Sequence, residues 1–598
     1  MRSKVSHYKA PLENMNFILF DVLNAGQLAE LPTFEDATED MFKAVMDEAA
    51  KLAERVMLPV NAIGDKEGCQ FNPEDFSVKT PEGFKEAYQQ YREGGWSGLS
   101  ASPDFGGQGL PHLLKMIVDE MVCSTNLSLG MYPGLSHGAI DCLTQHGSNY
   151  LQTTYLPKLV SGEWTGTMCL TEPQCGTDLG LMSTKAEPSV DGKYEGETYK
   201  ISGTKIWITG GENDLVDNIC HLVLAKLPGA PNSSKGISLF LVPKFLPGGQ
   251  RNKAFCGGLE HKMGIKGSAT CVMNFEEATG WLIGEPNQGL KCMFTMMNAA
   301  RIMVGIQGLG LAETGYQVSL GFAKERLQSR SLAGAVKSEL KADPIIVHPD
   351  VRRMLLKQKV LVEGCRAMAY WTGLHLDLSH RHPDEKSREH SDDITQLMTP
   401  IVKSFLTDEG FSSCDQALQS MGGAGFTQDW PVEQLMRDGR IARIYEGTNG
   451  IQALDLVGRK LSMKGGQLAR SYFTELQGLV QTISNEHHVK QCQSFMKQTH
   501  EALGWLASNA LKDPEQAGAI ATPLLRMFAL TTIAVMWAKM ASVSQSETSK
   551  ANYAESFLSG KQKAADHFYR LYAPEMTALL TEVSSGKETL MAFAEGEF

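Results

Sequence analysis

The spacing of apolar residues predicts helices along most of the chain. Between Phe34 and Val60, apolar residues recur three and four positions apart, as on one face of an amphipathic helix: Met41, Phe42, Val45, Met46, Ala49, Leu52 and Val56. A second helical segment follows the Gly-rich loop 104–109. The helical period returns at Gly289 and continues almost to the last residue. Breaks are expected at 380–393, where charged residues and histidines cluster, and at 464–466.

One region between the helical segments has the pattern of β-strands. After Trp164, the runs ISGTKIWITGG, CHLVLAKL, GISLFLVPKF and TCVMNFEEA are rich in β-branched and aromatic residues, and turn-forming residues separate them. No helical segment lies between these runs, which favours a compact all-β unit over a parallel α/β sheet. The order predicts four domains: helical residues 1–163, β residues 164–288, helical residues 289–460, and an additional helical segment, 461–598.

Composition and charge limit the functional classes. The chain has 598 residues, 42% hydrophobic and 21% charged, as in globular proteins, so a disordered or fibrous chain is excluded. The net charge of -12 disfavours nonspecific binding to nucleic acid. Residues 461–598 carry 12 basic and 13 acidic side chains, which gives no basic surface for DNA. Twelve scattered cysteines without a CxxC pair argue against a disulfide scaffold or zinc ribbon and fit a reducing compartment.

The N-terminal sequence and the longest apolar run indicate a soluble, cytoplasmic protein. The N-terminal segment has no apolar stretch of the signal-peptide kind, and it contains Glu13 and Asp21, which a transit peptide would avoid. The segment 524–540 is strongly apolar, but only 12 residues separate Arg526 from Lys539, whereas a membrane span needs about 20. We therefore expect a buried helix there, with membrane contact peripheral at most.

Glu446 is the acidic residue best placed for chemistry. In IARIYEGTNGIQALDLVGRKL, Thr448 is suited to cap a helix that begins near Gly450, which leaves Glu446 on the preceding loop beside Gly447. A carboxylate there can be held against a substrate, because Gly447 lets another molecule approach the backbone closely. The alternative is a surface glutamate stabilised by the helix dipole.

Two groups of glycines have different interpretations. The Gly-rich loop 422–425 either offers backbone N–H groups to a ligand or simply turns the chain, and it is not a Walker A loop because no Gly-Lys-Ser/Thr follows. Gly305, Gly308 and Gly310 have GxxGxG spacing inside a helical run. This spacing indicates close helix packing and argues against a Rossmann site.

Trp207 and Thr209 lie two residues apart on a predicted strand, so both point to the same face. An aromatic ring beside a hydroxyl suits a planar heteroaromatic ligand, although a core tryptophan with a satisfied threonine has the same pattern. The spacing of four histidines fits no common zinc site, and we expect a solvated loop without metal at His375, His380, His382 and His390.

The order of the motifs is more specific than any single motif. MCLTEPQCGTD, KIWITGG, KMGIKGSATCVMNFEEATGWLIGEPNQGLK, NAAR, AKERLQ and ALQSMGGAGFTQDWPVEQLMRDGRIARIYEGTNG follow one another in an arrangement that resembles the acyl-CoA dehydrogenase family of flavoproteins. The resemblance covers about residues 80–460, and the additional segments are similar to bacterial members of about 600 residues. These larger members include fatty acyl-CoA and 3-methylmercaptopropionyl-CoA dehydrogenases. The implied fold is mainly α, with an N-terminal helical domain, a middle β-barrel and a C-terminal four-helix bundle.

The resemblance implies FAD as the cofactor and assigns residues to it. The positions that match flavin-binding residues are Met168, Cys169, Leu170, Thr171, Thr177, Trp207, Ile208 and Thr209. A homodimer is implied, because residues that reach FAD from the neighbouring subunit match Arg326, Gln419, Gly422 and Gly423. Further cofactor-binding positions match Thr448 and Asn449, and substrate-binding positions match Thr177, Asn298, Arg301 and Gly447. Glu446 matches the catalytic base.

The implied reaction is dehydrogenation of a medium- to long-chain fatty acyl-CoA to a trans-2-enoyl-CoA. Glu446 would remove the α-proton while the β-hydride passes to flavin N5, and hydrogen bonds to the thioester carbonyl would stabilise the developing negative charge. The electrons would pass to an electron-transfer flavoprotein. The alternatives are a 3-methylmercaptopropionyl-CoA dehydrogenase and an acyl-CoA oxidase that uses O2.

Other relatives of the same fold are disfavoured. Flavin monooxygenases of the fold often lack the base and nitroalkane-oxidising members use Asp, so Glu446 argues against both. A DNA-associated member would need a basic C-terminal surface, which residues 461–598 do not offer.

Overall fold

The computed structural model describes residues 8–189, 192–510 and 513–598. Its helices are α1 (Leu12–Asn16), α2 (Glu39–Leu52), α3 (Leu58–Glu67), α4 (Phe84–Glu93), α5 (His112–His146), α6 (Asn149–Val160), α7 (Gly289–Glu325), α8 (Pro349–Arg381), α9 (Glu385–Met421), α10 (Gly423–Phe426), α11 (Val432–Gly439), α12 (Asn449–Gly458), α13 (Gln467–Gln481), α14 (Glu486–Asn509), α15 (Pro514–Val543), α16 (Glu547–Asn552) and α17 (Glu555–Ser585). Its strands are β1 (Gln70–Asn72), β2 (Ser77–Lys79), β3 (Trp164–Cys169), β4 (Lys185–Pro188), β5 (Thr198–Thr209), β6 (Asn218–Lys226), β7 (Ile237–Pro243), β8 (Ala254–Leu259) and β9 (Thr270–Ile283).

The chain folds into two compact units. One, the sheet unit, comprises Glu48–Met303, and the other, the bundle unit, comprises Met1–Asp47 together with Val304–Phe598. The order of helical, β and helical segments agrees with the prediction, whereas the four domain boundaries proposed from the sequence stay predictions.

The sheet unit contains a seven-stranded mixed sheet in the described part of the chain. The long strand β9 pairs antiparallel with β5, β7 and β8, and β7 pairs antiparallel with β6. Two pairs are parallel: β3 with β6, and β4 with β6 at the single residue pair Lys185 and Lys226. The predicted middle β-barrel is not confirmed, because β4 has only four residues and meets β6 at that one pair.

Helix α5 is the central helix of the sheet unit. Twenty-seven of its 35 residues are buried, and its regular path is interrupted at Asn126, which has φ −156° and ψ 84°. Ala139, Ile140 and Leu143 lie in one hydrophobic cluster with Leu156 of α6 and Leu222 of β6. The helix therefore covers the sheet by apolar packing, the largest favourable contribution to folding.

Helices α7, α8 and α9 form the core of the bundle unit. The glycines at 305 and 308 permit a close crossing of α7 and α9, as the sequence predicted. A Cβ atom on Gly308 would lie 2.4 Å from the Leu406 carbonyl oxygen, and one on Gly305 would lie 2.9 Å from Val402 Cγ1. A larger residue at either position would force the helices apart.

The C-terminal helices α13–α17 pack within the bundle unit, and α15 is their buried centre. By length and composition alone, α15 could cross a membrane, but 83% of its apolar window is buried inside the protein. The prediction of a buried helix is therefore confirmed. Arg526 of α15 pairs with Glu409 of α9 at 2.5 Å and with Glu575 of α17, which joins three helices through one cation.

The expected loop at 380–393 is mostly helix, which corrects the prediction. Only residues 382–384 separate α8 from α9, and the Asp384 carboxylate caps α9 by accepting from the Ser387 N–H. His375 is buried, and His390 contacts Glu475 of α13 at 3.0 Å. The charged residues lie on exposed helix faces, so their density did not indicate a loop. The described residues contain no group of His, Cys, Asp or Glu arranged for a metal ion.

Candidate active site

Trp207 lies on a β-bulge of β5 in the sheet unit. Between the pairs Lys205–Met273 and Ile208–Cys271, strand β5 has two residues where β9 has one. Trp207 has φ +60°, which is a strained value for a bulky residue, and its side chain is 60% exposed. Ile208 is buried and Thr209 is half-buried, and because the bulge interrupts the alternation of the strand, the shared face of Trp207 and Thr209 stays a prediction. Bulges of this kind often redirect a side chain at a functional site.

The segment 168–177 is fixed beside the bulge. Ile206 does not pair with β9 and instead donates its N–H to the Thr171 carbonyl at 2.9 Å. The fully buried Lys205 ammonium donates to the Leu170 carbonyl at 3.0 Å and to Glu172 Oε1 at 2.9 Å. The predicted flavin-binding segment and the Trp207 strand are therefore held together by backbone pairing and by one buried ion pair.

Glu172 is the acceptor at the centre of this arrangement. It accepts from the backbone N–H and hydroxyl groups of both Ser183 and Thr184, at 2.6 to 3.1 Å. Burial alone would raise the pKa of the Glu172 carboxyl, but the charge of Lys205 and these hydrogen bonds outweigh burial and lower the pKa to about 2. Burial lowers the pKa of Lys205, although Glu172 acts in the opposite direction.

The remaining predicted positions of the sheet unit lie at its surface and on α7. Thr177 is exposed. Asn298 and Arg301 lie three residues apart on α7, hence on one face of the helix. The Asn298 Oδ1 atom is buried and accepts no hydrogen bond from the residues that the structure describes. An acceptor in this state is suited to a donor from a bound molecule.

Glu446 lies on the loop ahead of α12 in the bundle unit. Its φ is +55° and that of Gly447 is +83°, so two successive residues have left-handed backbone conformations. A Cβ atom on residue 447 would lie 2.7 Å from Gln452 Nε2, which explains the glycine. The Thr448 hydroxyl caps α12 by accepting from the Ile451 N–H, as the sequence predicted. The Glu446 side chain is half-buried.

Two side chains bind the backbone around Glu446, and the neighbouring Tyr445 side chain is anchored separately. Gln452 Nε2 donates to the carbonyl oxygens of Glu446 and Gly447 at 3.1 and 3.2 Å. Lys403 of α9 donates to the Gly447 carbonyl at 2.9 Å and to Asn449 Oδ1 at 2.8 Å. The Tyr445 hydroxyl donates to Gln307 of α7. The Asn449 amide, predicted to bind the cofactor, is thus engaged with α9.

The positions assigned to a neighbouring subunit's FAD are at the surface of the bundle unit. Arg326, Gln419, Gly422 and Gly423 are all exposed. A Cβ atom on either glycine would have no atom within 4 Å, so the backbone of this loop is open to a ligand. The loop that follows Arg326 is held by buried Asp343, which accepts from the backbone N–H groups of Ser331, Val336 and Lys337.

Comparisons with known proteins agree on one family along nearly the whole chain. Models described as acyl-CoA dehydrogenase N-terminal, middle and C-terminal domains match residues 39–163, 167–278 and 287–461. A model described as acetyl-CoA dehydrogenase C-terminal like matches residues 472–594. A 3-methylmercaptopropionyl-CoA dehydrogenase from Ruegeria pomeroyi is 39% identical over 98% of this chain and 99% of that protein.

The chain belongs to the acyl-CoA dehydrogenase family. The broad-specificity linear acyl-CoA dehydrogenase FadE5 from Mycobacterium tuberculosis is 35% identical over 76% of each chain. A crystal structure of a Bacillus anthracis acyl-CoA dehydrogenase with FAD shares the fold, with a TM-score of 0.73, 20% identity and coverage of 97% of this chain and 92% of that one. The protein is therefore an oxidoreductase that acts on acyl-CoA.

FAD is the cofactor of this acyl-CoA dehydrogenase, and each unit, taken by itself, carries exposed residues whose chemistry suits part of FAD. In the sheet unit, the exposed Trp207 ring offers an aromatic surface, and Thr209 two residues later is half-buried. In the bundle unit, exposed Arg326 provides a cation for phosphate, and the loop at Gly422 and Gly423 lets a ligand approach the backbone. These observations agree with an FAD-binding role, while the role of each residue stays a prediction.

The sequence motifs did not point to the residues that hold the predicted site segments in place. Glu172 and Lys205 lie inside the quoted motifs, and the available signal was Lys205, a charged residue within a strand that contains several apolar residues. Lys403 and Gln452 gave no such signal, because each lies in an ordinary helical pattern.

Proposed function

We propose that this acyl-CoA dehydrogenase removes the α-proton of a saturated acyl-CoA thioester with the Glu446 carboxylate and forms the trans-2-enoyl-CoA. The α-proton of a thioester is weakly acidic, so the base must be held in one position against the carbon it deprotonates. Contact with the substrate excludes water from the carboxylate and strengthens it as a base. Bound FAD supplies the two-electron acceptor for the hydride that leaves the β-carbon.

The conformation of Glu446 carries this proposal. Ten non-glycine residues in the described chain have positive φ, and Glu446 and Trp207 are among them. Such conformations cost free energy and persist where the surrounding structure enforces them, most often at functional sites. Glu446 is enforced by hydrogen bonds to its own carbonyl and to that of Gly447. A merely solvated glutamate at a helix N-terminus would need none of these contacts.

Two acyl groups are candidates for the substrate. A linear fatty acyl chain of medium to long length is the first, and the relationship to a broad-specificity linear acyl-CoA dehydrogenase supports it. The 3-methylmercaptopropionyl group is the second, supported by the relative that matches the chain from end to end. We propose an electron-transfer flavoprotein as the electron acceptor, with O2 as the alternative expected of an oxidase.

Anaerobic bleaching of the flavin tests the reaction and its substrate together. The purified yellow protein is mixed with saturated acyl-CoAs of graded chain length and with 3-methylmercaptopropionyl-CoA, and flavin absorbance is followed. Mass spectrometry of the product should show the loss of two hydrogens. We expect one acyl series to bleach the flavin fastest. If no acyl-CoA bleaches it, the proposed dehydrogenation is wrong.

The electron acceptor and the subunit arrangement need separate measurements. Peroxide yield after admission of air distinguishes an oxidase, which gives about one peroxide per turnover, from a dehydrogenase, which needs another acceptor. For the proposed homodimer, Arg326→Ala and Glu446→Gln subunits are mixed after separate purification. If Arg326 acts on FAD of the second copy, mixing restores one intact site per dimer, and activity appears that neither variant has alone. Unchanged inactivity on mixing contradicts this arrangement.

A further inference from the structure

Two fully buried side chains bind the carbonyl groups next to Glu446. Lys403 lies on α9, 44 residues before Gly447 in sequence, and its ammonium donates to the Gly447 carbonyl at 2.9 Å. Gln452 lies on α12, and its amide donates to the carbonyls of Glu446 and Gly447 at 3.1 and 3.2 Å. The Gly447 carbonyl thus accepts from two helices at once.

These bonds account for the unusual backbone of the loop. Glu446 and Gly447 have φ +55° and +83°, and both of their carbonyls accept from side chains that are fully buried. A buried carbonyl without a donor is unfavourable, and here both are satisfied by side chains instead of by helix or sheet. Without Lys403 and Gln452, the left-handed conformation of Glu446 would lose the contacts that stabilise it.

The Lys403 ammonium is received by acceptors on the Glu446 loop and at the start of α12. Its ammonium is fully buried, and the atoms it contacts lie beside the first turn of α12, where the helix dipole is also positive. A second buried contact orients its acceptor: Asn449 Nδ2 donates to the Ser404 carbonyl and Thr407 Oγ1, which turns Asn449 Oδ1 towards Lys403 at 2.8 Å. The neighbouring groups are arranged to receive the lysine.

We propose that Lys403 and Gln452 are positioning residues that hold Glu446 in the conformation required for α-proton removal. This inference rests on the proposed function, because it gives the two residues a role only if Glu446 is the base. Neither residue is a catalytic residue. They act through the backbone on either side of the Glu446–Gly447 peptide, so their loss displaces the carboxylate without removing it.

The consequence is a specific kinetic defect. Misplacement of a reacting group by about 1 Å can lower a rate by about 100-fold while leaving binding nearly unchanged. Lys403→Met keeps the length and apolar volume of the side chain but removes the donor, and Gln452→Leu removes the donor on α12 while leaving an apolar side chain of similar volume. For both variants we expect flavin reduction to be slowed about 10- to 100-fold, with FAD content and acyl-CoA affinity near those of the unmodified protein.

Rapid-mixing flavin reduction with full-length protein tests the proposal. Substrate deuterated at the α-carbon is compared with unlabelled substrate, because slower proton removal increases the α-deuterium isotope effect. Lys561→Met is the matched control: Lys561 is also fully buried, but it pairs with Glu363 at 2.7 Å, and its loss should leave reduction rate and isotope effect unchanged.

The flavin-reduction rates of the two variants decide whether Lys403 and Gln452 position Glu446. Reduction at the normal rate in both Lys403→Met and Gln452→Leu overturns the positioning role, and so does a slow rate explained by loss of FAD or acyl-CoA binding. If Lys403→Met does not fold, the Gln452→Leu result decides. Failure of the proposed function is recognised separately, because Glu446→Gln would then reduce its flavin as fast as the unmodified protein.

Discussion

The buried ion pair between Lys205 and Glu172 allows a quantitative prediction for the sheet unit. Replacing Lys205 by Met leaves the Glu172 carboxylate buried without its cation. Removing one partner of a buried pair costs about 3–5 kcal/mol of unfolding free energy. For a compact unit of 150–250 residues, 1 kcal/mol lowers Tm by about 2–4 °C, so we expect a decrease of about 6–20 °C.

The double variant separates the interaction from the side chains. Lys205→Met combined with Glu172→Gln removes both charges, so its loss of stability should be smaller than the sum of the two single losses by about 0.5–3 kcal/mol. Thermal unfolding followed by circular dichroism measures these values. Lys185→Met on β4 is the control, because Lys185 is exposed and its replacement should change stability by less than about 0.5 kcal/mol.

The pH dependence of the same pair has a defined sign. The pKa of Glu172 is lowered from 4.5 to about 2, so the stability that its ionised form contributes is present above pH 4.5 and lost as pH falls through about 2. Glu172→Gln should therefore unfold with a weaker dependence on pH in this range. A Lys205→Met variant as stable as Lys185→Met, or strictly additive single losses, would refute the reasoning.

Three further changes have expected outcomes. Trp207→Ala should weaken FAD binding about 2- to 10-fold, measured by flavin titration, while leaving Tm nearly unchanged because the side chain is exposed. Gly447→Ala should slow flavin reduction at least about tenfold, because the added Cβ would collide with the Gln452 side chain and the φ of residue 447 is +83°. Gly458→Ala is the control, because a Cβ there would have no atom within 4 Å and the rate should not change. Equal reduction rates in the two variants would contradict the prediction. The hydrogen bond to Glu475 raises the pKa of His390, so the stability contributed by protonated His390 is present below pH 6.5 and lost as pH rises through the folded pKa. His390→Gln should therefore cost up to about 1 kcal/mol at pH 6 and little at pH 9, and a loss independent of pH would count against the pair.

Hydrophobic periodicity predicted the elements with strong local patterns and failed for those determined by tertiary structure. Strands β5, β6, β7 and β9 were predicted from apolar runs, and the structure confirms all four. The four-residue strand β4 and the glycine-containing β8 gave no comparable signal. The predicted loop at 380–393 is mostly helix, because an exposed helix face tolerates charged residues as well as a loop does.

In the candidate site, too, some features follow from local sequence and others depend on tertiary contacts. The motif order singled out Glu446 and the Trp207 strand, whose site roles stay predictions, and the Thr448 cap followed from local sequence and is confirmed. The left-handed backbone of Glu446 was not predictable, since its stabilising contacts come from two side chains, and one of them, Lys403, lies 44 residues before Gly447 in the chain. A lysine in a helical pattern usually faces solvent, so only the fold shows that this one is buried behind a loop.

The base assigned to Glu446 is the central claim, and one comparison tests it most directly. Unmodified protein and Glu446→Gln are each loaded with FAD and mixed anaerobically with the acyl-CoA that bleaches the unmodified protein fastest. The amide cannot accept a proton, so Glu446→Gln should keep its yellow flavin and acyl-CoA binding while reduction slows by about 100- to 10,000-fold or stops. Bleaching at the unmodified rate would show that another group removes the proton.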